Sequence, residues 1–343
     1  MVGISQDSRL QLVSGAISVT GACTIACRHC YSESSPKVSA THSLETLKNI
    51  VSTLKRYGVR QIFVGGGEPF LHPDLDRLVR HMFAEGVLPS VSSNGHGVTK
   101  ERIAALYEAG MRYNMAISRD GPDDAINGRI RGPRSFFATL LGMYELASFG
   151  KILWGVNYVC CQQNLGHALS TAKLAATLGA SYFNCIKFTP SGRGSLHAAA
   201  MAVSDKEYAN EILQVSEAYS PLGEYYDEIF VFDVRRRSTV VNELRMVDCA
   251  ASYFSDFSFQ NPLGISINHN GDVALAPPNI TLGNLSRQPL SEMLESINSP
   301  AVLEKYQSWL RRDWAGIHPP KSLSDRPAVS NMIHQHQHFL DQG

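Results

Sequence analysis

Three cysteines, Cys23, Cys27 and Cys30, fall in one short stretch of this chain, and Tyr31 follows the last. Three thiolates can hold three irons of a 4Fe–4S cluster and leave the fourth iron open, and soft sulfur ligands suit such a cluster. The alternative is a structural zinc protein, whose tetrahedral ion needs a fourth ligand. His29 could be offered for it, but a residue between Cys27 and Cys30 is cramped for closing a tetrahedron. The spacing favours the cluster.

The chain has seven cysteines, an odd number. With three of them clustered, that favours metal or redox chemistry in a reducing compartment over a disulfide framework. Cys160, Cys161 and Cys185 sit in predicted strands and read as structural. Cys249 stands alone, and no cysteine follows it in these 343 residues. Three roles compete for it: a packed core thiol, a ligand of an auxiliary cluster shared with Cys160, Cys161 or Cys185, or a hydrogen-atom donor.

Lys plus Arg and Asp plus Glu number 31 each, so the formal charge is zero. Nothing in that balance points to nucleic acid or a membrane surface. The N-terminus lacks the basic and apolar regions of a signal peptide, and no apolar run approaches a membrane span. A cytoplasmic location is expected.

The cysteines need a scaffold, and the sequence supplies one. Short apolar runs at 15–20, 59–66, 88–95, 111–118, 151–160 and 180–188 read as strands. Amphipathic stretches at 43–58, 74–86, 99–110, about 134–149 and 164–178 read as helices, the first with Ser43 as N-cap and Gly58 just past its end. This alternation is that of a parallel α/β sheet or barrel. The cysteines, "GGGEP" (65–69), "SSNG" (92–95) and "ISRDG" (117–121) all fall at the ends of strands, so they should meet at one face. Glycines at 66 and 67 would let backbone approach a ligand, and Glu68 offers an acceptor for an ammonium group. The Gly/Ser-rich stretch 189–204 reads as a domain boundary, dividing the chain into 1–190 and 191–343. Beyond it, 207–219 looks helical, 262–277 reads as a hairpin turning at Asn270 and Gly271, and helices follow near 289–312. His334, His336 and His338 belong to a tail expected to be solvated.

In these motifs the chain resembles the radical S-adenosylmethionine (radical SAM) superfamily over roughly residues 15–190. The resemblance implies a partial (β/α)6 barrel with one 4Fe–4S cluster on Cys23, Cys27 and Cys30, and SAM chelating its open iron as co-substrate. It implies that Gly66, Gly67 and Glu68 hold the SAM ammonium group and that Asn94 and Ser118 contact its ribose or carboxylate. Arg131 is a candidate carboxylate partner; the alternative is a solvated surface arginine. An electron donor such as flavodoxin or ferredoxin is implied as a partner.

Residues 249–298 resemble the SPASM or twitch extension of such enzymes, stripped of its later cysteines, with Ala274 and Ala276 in their neighbourhood. The whole pattern resembles radical SAM aminoglycoside epimerases. That implies a polycationic aminoglycoside substrate, inversion of one carbon of its terminal diaminosugar, and Cys249 as the thiol that returns hydrogen. A polycation asks for carboxylates, for which Glu224, Asp227 and Asp256 are candidates, with Glu228, Asp233 and Asp248 nearby. The rivals are a peptide-modifying maturase, which usually retains auxiliary-cluster cysteines, and a radical SAM sugar dehydratase or decarboxylase.

Overall fold

The computed structural model describes residues 10–221, 229–234, 262–276 and 279–313. Six strands run in sequence order as neighbours: β1 (Gln11–Thr20), β2 (Gln61–Gly66), β3 (Leu88–Ser93), β4 (Met115–Ser118), β5 (Trp154–Cys160) and β6 (Tyr182–Lys187). Every pairing from β1 to β6 is parallel. β1 and β6 do not pair with each other, so the sheet is an open barrel.

The connecting helices are α1 (Leu44–Arg56), α2 (Leu75–Ala84), α3 (Lys100–Glu108), α4 (Asp124–Arg131), α5 (Ser135–Phe149) and α6 (Ala168–Thr177). Ser43 caps α1 as expected, accepting from Thr46 N–H. The helices cover one face of the sheet. Strand residues Ile62, Val64, Val91, Ile117, Val156 and Phe183 pack there in one core with Leu54, Leu78 and Met143 from the helices. Alternate strand residues face the other way, as a two-residue period requires.

Three local readings change. Helix α4 was not foreseen; it lies between "ISRDG" and α5 and carries Arg131 in its last turn. Helix α6 starts at Ala168, not 164, because Asn164 closes a 3-10 turn by accepting from Cys161 N–H through its side chain. The chain beyond residue 190 builds no separate sheet among the described residues. After α7 (Ala198–Met201) and α8 (Asp205–Ala218), β7 (Ser220–Pro221) and β8 (Ile229–Asp233) extend the β6 edge. β9 (Pro262–Ile267), β10 (Asp272–Ala276) and β11 (Ile280–Asn284) extend the β1 edge. The β9–β10 hairpin turns at Asn270 and Gly271 as read from the sequence, with Gly271 at positive φ. α9 (Leu290–Glu295) and α10 (Pro300–Asp313) follow. No described helix is long and apolar enough to cross a membrane.

One helix contact matters for the site. Gly142 of α5 lies against the backbone of Gly95, and a Cβ there would stand 2.3 Å from Gly95 O. Thr139, one turn earlier, donates to Asn94 O at 2.8 Å. The turn after β3 is thus clamped to α5 by close backbone approach. Gly142→Ala should push α5 off that turn and cost roughly 1–3 kcal/mol, the usual range for overpacking. Chemical denaturation checks this; unchanged stability would show that the turn can move aside freely.

Candidate active site

The cysteine loop is fastened from four directions. Within the loop, Gly21 N donates to Ala40 O and Cys23 N to Ser35 O. From β2, Gly67 N donates to Thr20 O and Glu68 N to Ala22 O. Gly66 has φ +111°, and a Cβ on Gly67 would lie 2.0 Å from Ala22 O. These glycines therefore admit the chain entering the cysteine loop, a closer neighbour than the ligand the sequence suggested.

Glu68 is fully buried. Its carboxylate accepts from Ser93 Oγ at 2.8 Å, Phe70 N at 3.1 Å and Asn94 N at 2.7 Å. Burial pushes this carboxyl up to about 7, against the pull of those three donors and of Arg131. The side chain thus joins the turn after β2 to the turn after β3. Asn94 in turn points at the cysteine loop: Nδ2 donates to Thr24 Oγ1 at 3.0 Å and lies 3.4 Å from Cys23 Sγ. Ser118 is half-buried at the end of β4, with Oγ 3.4 Å from Ser92 Oγ.

From β4 and α4 comes a charged cluster. Asp120 Oδ2 stands 2.6 Å from both His29 Nε2 and Arg131 Nε. Its Oδ1 accepts from Val159 N at 2.8 Å, and its backbone N donates to Asn127 Oδ1 at 2.9 Å. Arg28 N donates to Ile130 O, tying the loop to α4 by backbone as well. Burial alone would raise Asp120, but Arg131, His29 and the Val159 N–H outweigh it and hold its carboxyl at about 2. Arg131 is 5% exposed, so it is not the surface arginine the sequence left open. His29 places its Nε2 on Asp120, and it does not converge with the cysteines as a metal-ion site among the described residues.

From the stretch after β6 comes a clamp that was read as a boundary. Arg193 donates to Cys27 O at 2.9 Å, Glu33 O at 3.0 Å and Ser34 O at 2.7 Å. Gly194 N donates to Cys30 O. A small, glycine-rich segment is what such close approach to another backbone requires.

Burial pushes the Cys27 thiol up to about 12, with Arg131 pulling the other way, and burial also raises Cys23. Ser32 Oγ lies 3.5 Å from Cys30 Sγ. The donor set fits a 4Fe–4S cluster: three thiols on one braced loop, with polar groups of Asn94 and Ser32 beside two of the sulfurs. Among the described residues no three His, Cys, Asp or Glu side chains converge to hold one metal ion. A zinc ion needs such convergence; a cubane, whose irons each take one thiolate, spreads its ligands. Cys160, Cys161 and Cys185 are fully buried in apolar surroundings and their thiols are pushed up by burial. They are core residues. Cys249, Glu224, Asp227, Asp256, Glu228, Asp248 and the three tail histidines lie outside the described residues.

Residues 17–174 match the sequence model of the radical SAM superfamily. The chain is 33% identical over 177 residues to the mycofactocin maturase MftC of Mycolicibacterium smegmatis, across 52% of this chain and 45% of that protein. It is 26% identical over 296 residues to the antilisterial bacteriocin subtilosin biosynthesis protein AlbA of Bacillus subtilis, across 84% and 60%. The crystal structure of Streptococcus suis SuiB bound to S-adenosylmethionine superposes with a TM-score of 0.56 at 13% identity, across 87% and 68%, a likeness of fold. The chain spans about half the length of the curated relatives it matches. It carries a radical SAM superfamily domain, and that superfamily uses a 4Fe–4S cluster and SAM.

Asp120→Asn should cost about 3–5 kcal/mol, because it leaves Arg131 buried without its partner charge. The pH dependence has a definite sign. A carboxyl held below its unfolded value of 3.8 stabilises the fold above about pH 4, and that contribution is lost as pH falls toward 2. The stability gap between wild type and Asp120→Asn should therefore narrow over that window in denaturant titrations. A gap that is small at pH 7, or that stays constant down to pH 2, would remove Asp120 from its bracing role.

Proposed function

We propose that this protein is a radical SAM epimerase that inverts C-5‴ of neomycin C to give neomycin B. A cluster held by Cys23, Cys27 and Cys30 would supply the electron that converts SAM to methionine and a 5′-deoxyadenosyl radical. Gly66 and Gly67 set the backbone beside the loop, and Arg131 and Ser118 would hold the SAM carboxylate and ribose. Asp120, Glu68 and Arg193 keep the loop and its neighbours fixed, which is the protein's main contribution to such chemistry.

The observation that carries the reading is the cysteine inventory. Three thiols form the triad and three are buried in the core; Cys249, outside the described residues, is the remaining thiol of the sequence, and we assign it the donor role. Inversion needs a hydrogen source on the face opposite the abstraction, and a thiol suits it because S–H is weaker than a sugar C–H bond. One hydrogen atom leaves C-5‴ and ends in 5′-deoxyadenosine. Another passes from Cys249 to the other face. The resulting thiyl takes one electron from a donor such as flavodoxin or ferredoxin and a proton from solvent.

The second reading is a peptide-modifying maturase. The named relatives favour it: MftC is a maturase and AlbA serves bacteriocin biosynthesis. Residues 250–343, which include the stretch that resembles the extension carrying auxiliary-cluster ligands, hold no cysteine.

Anaerobic incubation of reconstituted protein with SAM, reductant and neomycin C decides between them. Wild type should yield neomycin B, with deuterium at the inverted carbon when turned over in D2O. Cys249→Ala should form 5′-deoxyadenosine yet no inverted product. Normal inversion by that variant, or an unlabelled product from D2O, would strip Cys249 of the donor role.

A further inference from the structure

The interior face of this barrel carries a row of polar residues across β3 to β6. Barrel interiors are commonly filled by layers of branched aliphatic side chains. Here the interior-facing positions of four successive strands are Ser92, Ser118, Asn157 and Asn184, and all four are half-buried, not sealed. Ser118, Asn157 and Asn184 stand in register across β4, β5 and β6.

They form one hydrogen-bonded ladder. Asn184 Nδ2 donates to Asn157 Oδ1 at 2.6 Å, Asn157 Nδ2 donates to Ser92 Oγ at 3.1 Å, and Ser92 Oγ lies 3.4 Å from Ser118 Oγ. Tyr182 lies across Gly155, where a Cβ would strike its ring at 2.2 Å, and donates from its hydroxyl to Met115 O at 2.8 Å. The ladder is thus a polar row on the inner side of the sheet, with Tyr182 packed at the N-terminal end of the same strands. It is also incomplete. Among the described residues Asn184 Oδ1 has no protein donor, and each amide and hydroxyl keeps hydrogen-bonding capacity to spare.

Ligand chemistry follows from the groups. All are neutral, all carry both donors and acceptors, and all sit on strands, where their positions are fixed to fractions of an ångström. Ring hydroxyls and amines are donor–acceptor groups of the same kind. We propose that Ser92, Asn157 and Asn184 bind the hydroxyl and amino groups of a polyhydroxylated amino sugar and determine specificity for it. This rests on the epimerase reading and adds to it the wall that holds the sugar.

The test is equilibrium dialysis of neomycin C against the full chain, reconstituted and loaded with SAM, alongside product analysis. Asn184→Leu keeps the side-chain shape and should raise Kd about tenfold or more, as expected for a lost hydrogen bond in a desolvated site. Ser92→Ala, too small a change to unfold the barrel, should raise it about threefold. Asn184→Asp should bind within about threefold of wild type, since the Asn157 amide can turn over to donate to the new carboxylate. If wild type binds and epimerises neomycin C while Asn184→Leu and Ser92→Ala bind it equally well, the wall assignment falls and the epimerase reading stands. If wild type binds no neomycin C, both fall.

Discussion

A single buried carboxylate holds the geometry of this site together. Asp120 receives His29 from the cysteine loop, Arg131 from α4 and the Val159 N–H from β5. Its backbone carbonyl accepts from Asn164 beyond β5. Four segments of the barrel rim therefore converge on one residue that is shielded from water. Such an arrangement is stable only while all partners are present, because any one left alone is a buried polar group or charge. It also places the Arg131 charge beside Cys27 and Cys23, where it favours the thiolates.

The remaining braces follow the same logic, each a charged side chain answered by neutral partners. Glu68 ties the turn after β2 to the turn after β3, and Asn94 passes that constraint to Cys23. Arg193 gathers three carbonyls of the cysteine loop. A loop carrying three thiols would otherwise be mobile, and a chelated co-substrate needs its partners set before it arrives.

Much of this was legible before any coordinates. The triad spacing, the Gly-Gly-Glu segment and the strand–helix alternation defined the barrel and the metal-binding loop, because each is a local pattern. What escaped was long-range. His29 and Asp120 are 91 residues apart and Cys27 and Arg193 are 166 apart, so no periodicity links them. "ISRDG" was visible as a motif, yet only the fold shows that its aspartate, not its serine alone, is committed to the loop. The stretch at 189–204 looked like a linker because small residues serve linkers and tight backbone contacts alike. Asn157 and Asn184 belong to no motif, and their pairing follows from the register of β5 and β6. The carboxylates proposed for a cationic substrate lie outside the described residues, so the sequence remains their only support.

The central claim is that the braced triad holds a 4Fe–4S cluster with one iron open to SAM. Electron paramagnetic resonance of the anaerobically reconstituted, reduced protein tests it most directly. The account predicts the signal of about one such cluster per chain, and a change in that signal when SAM is added. A spectrum indifferent to SAM, or a protein that takes up zinc and no iron–sulfur cluster, would contradict it.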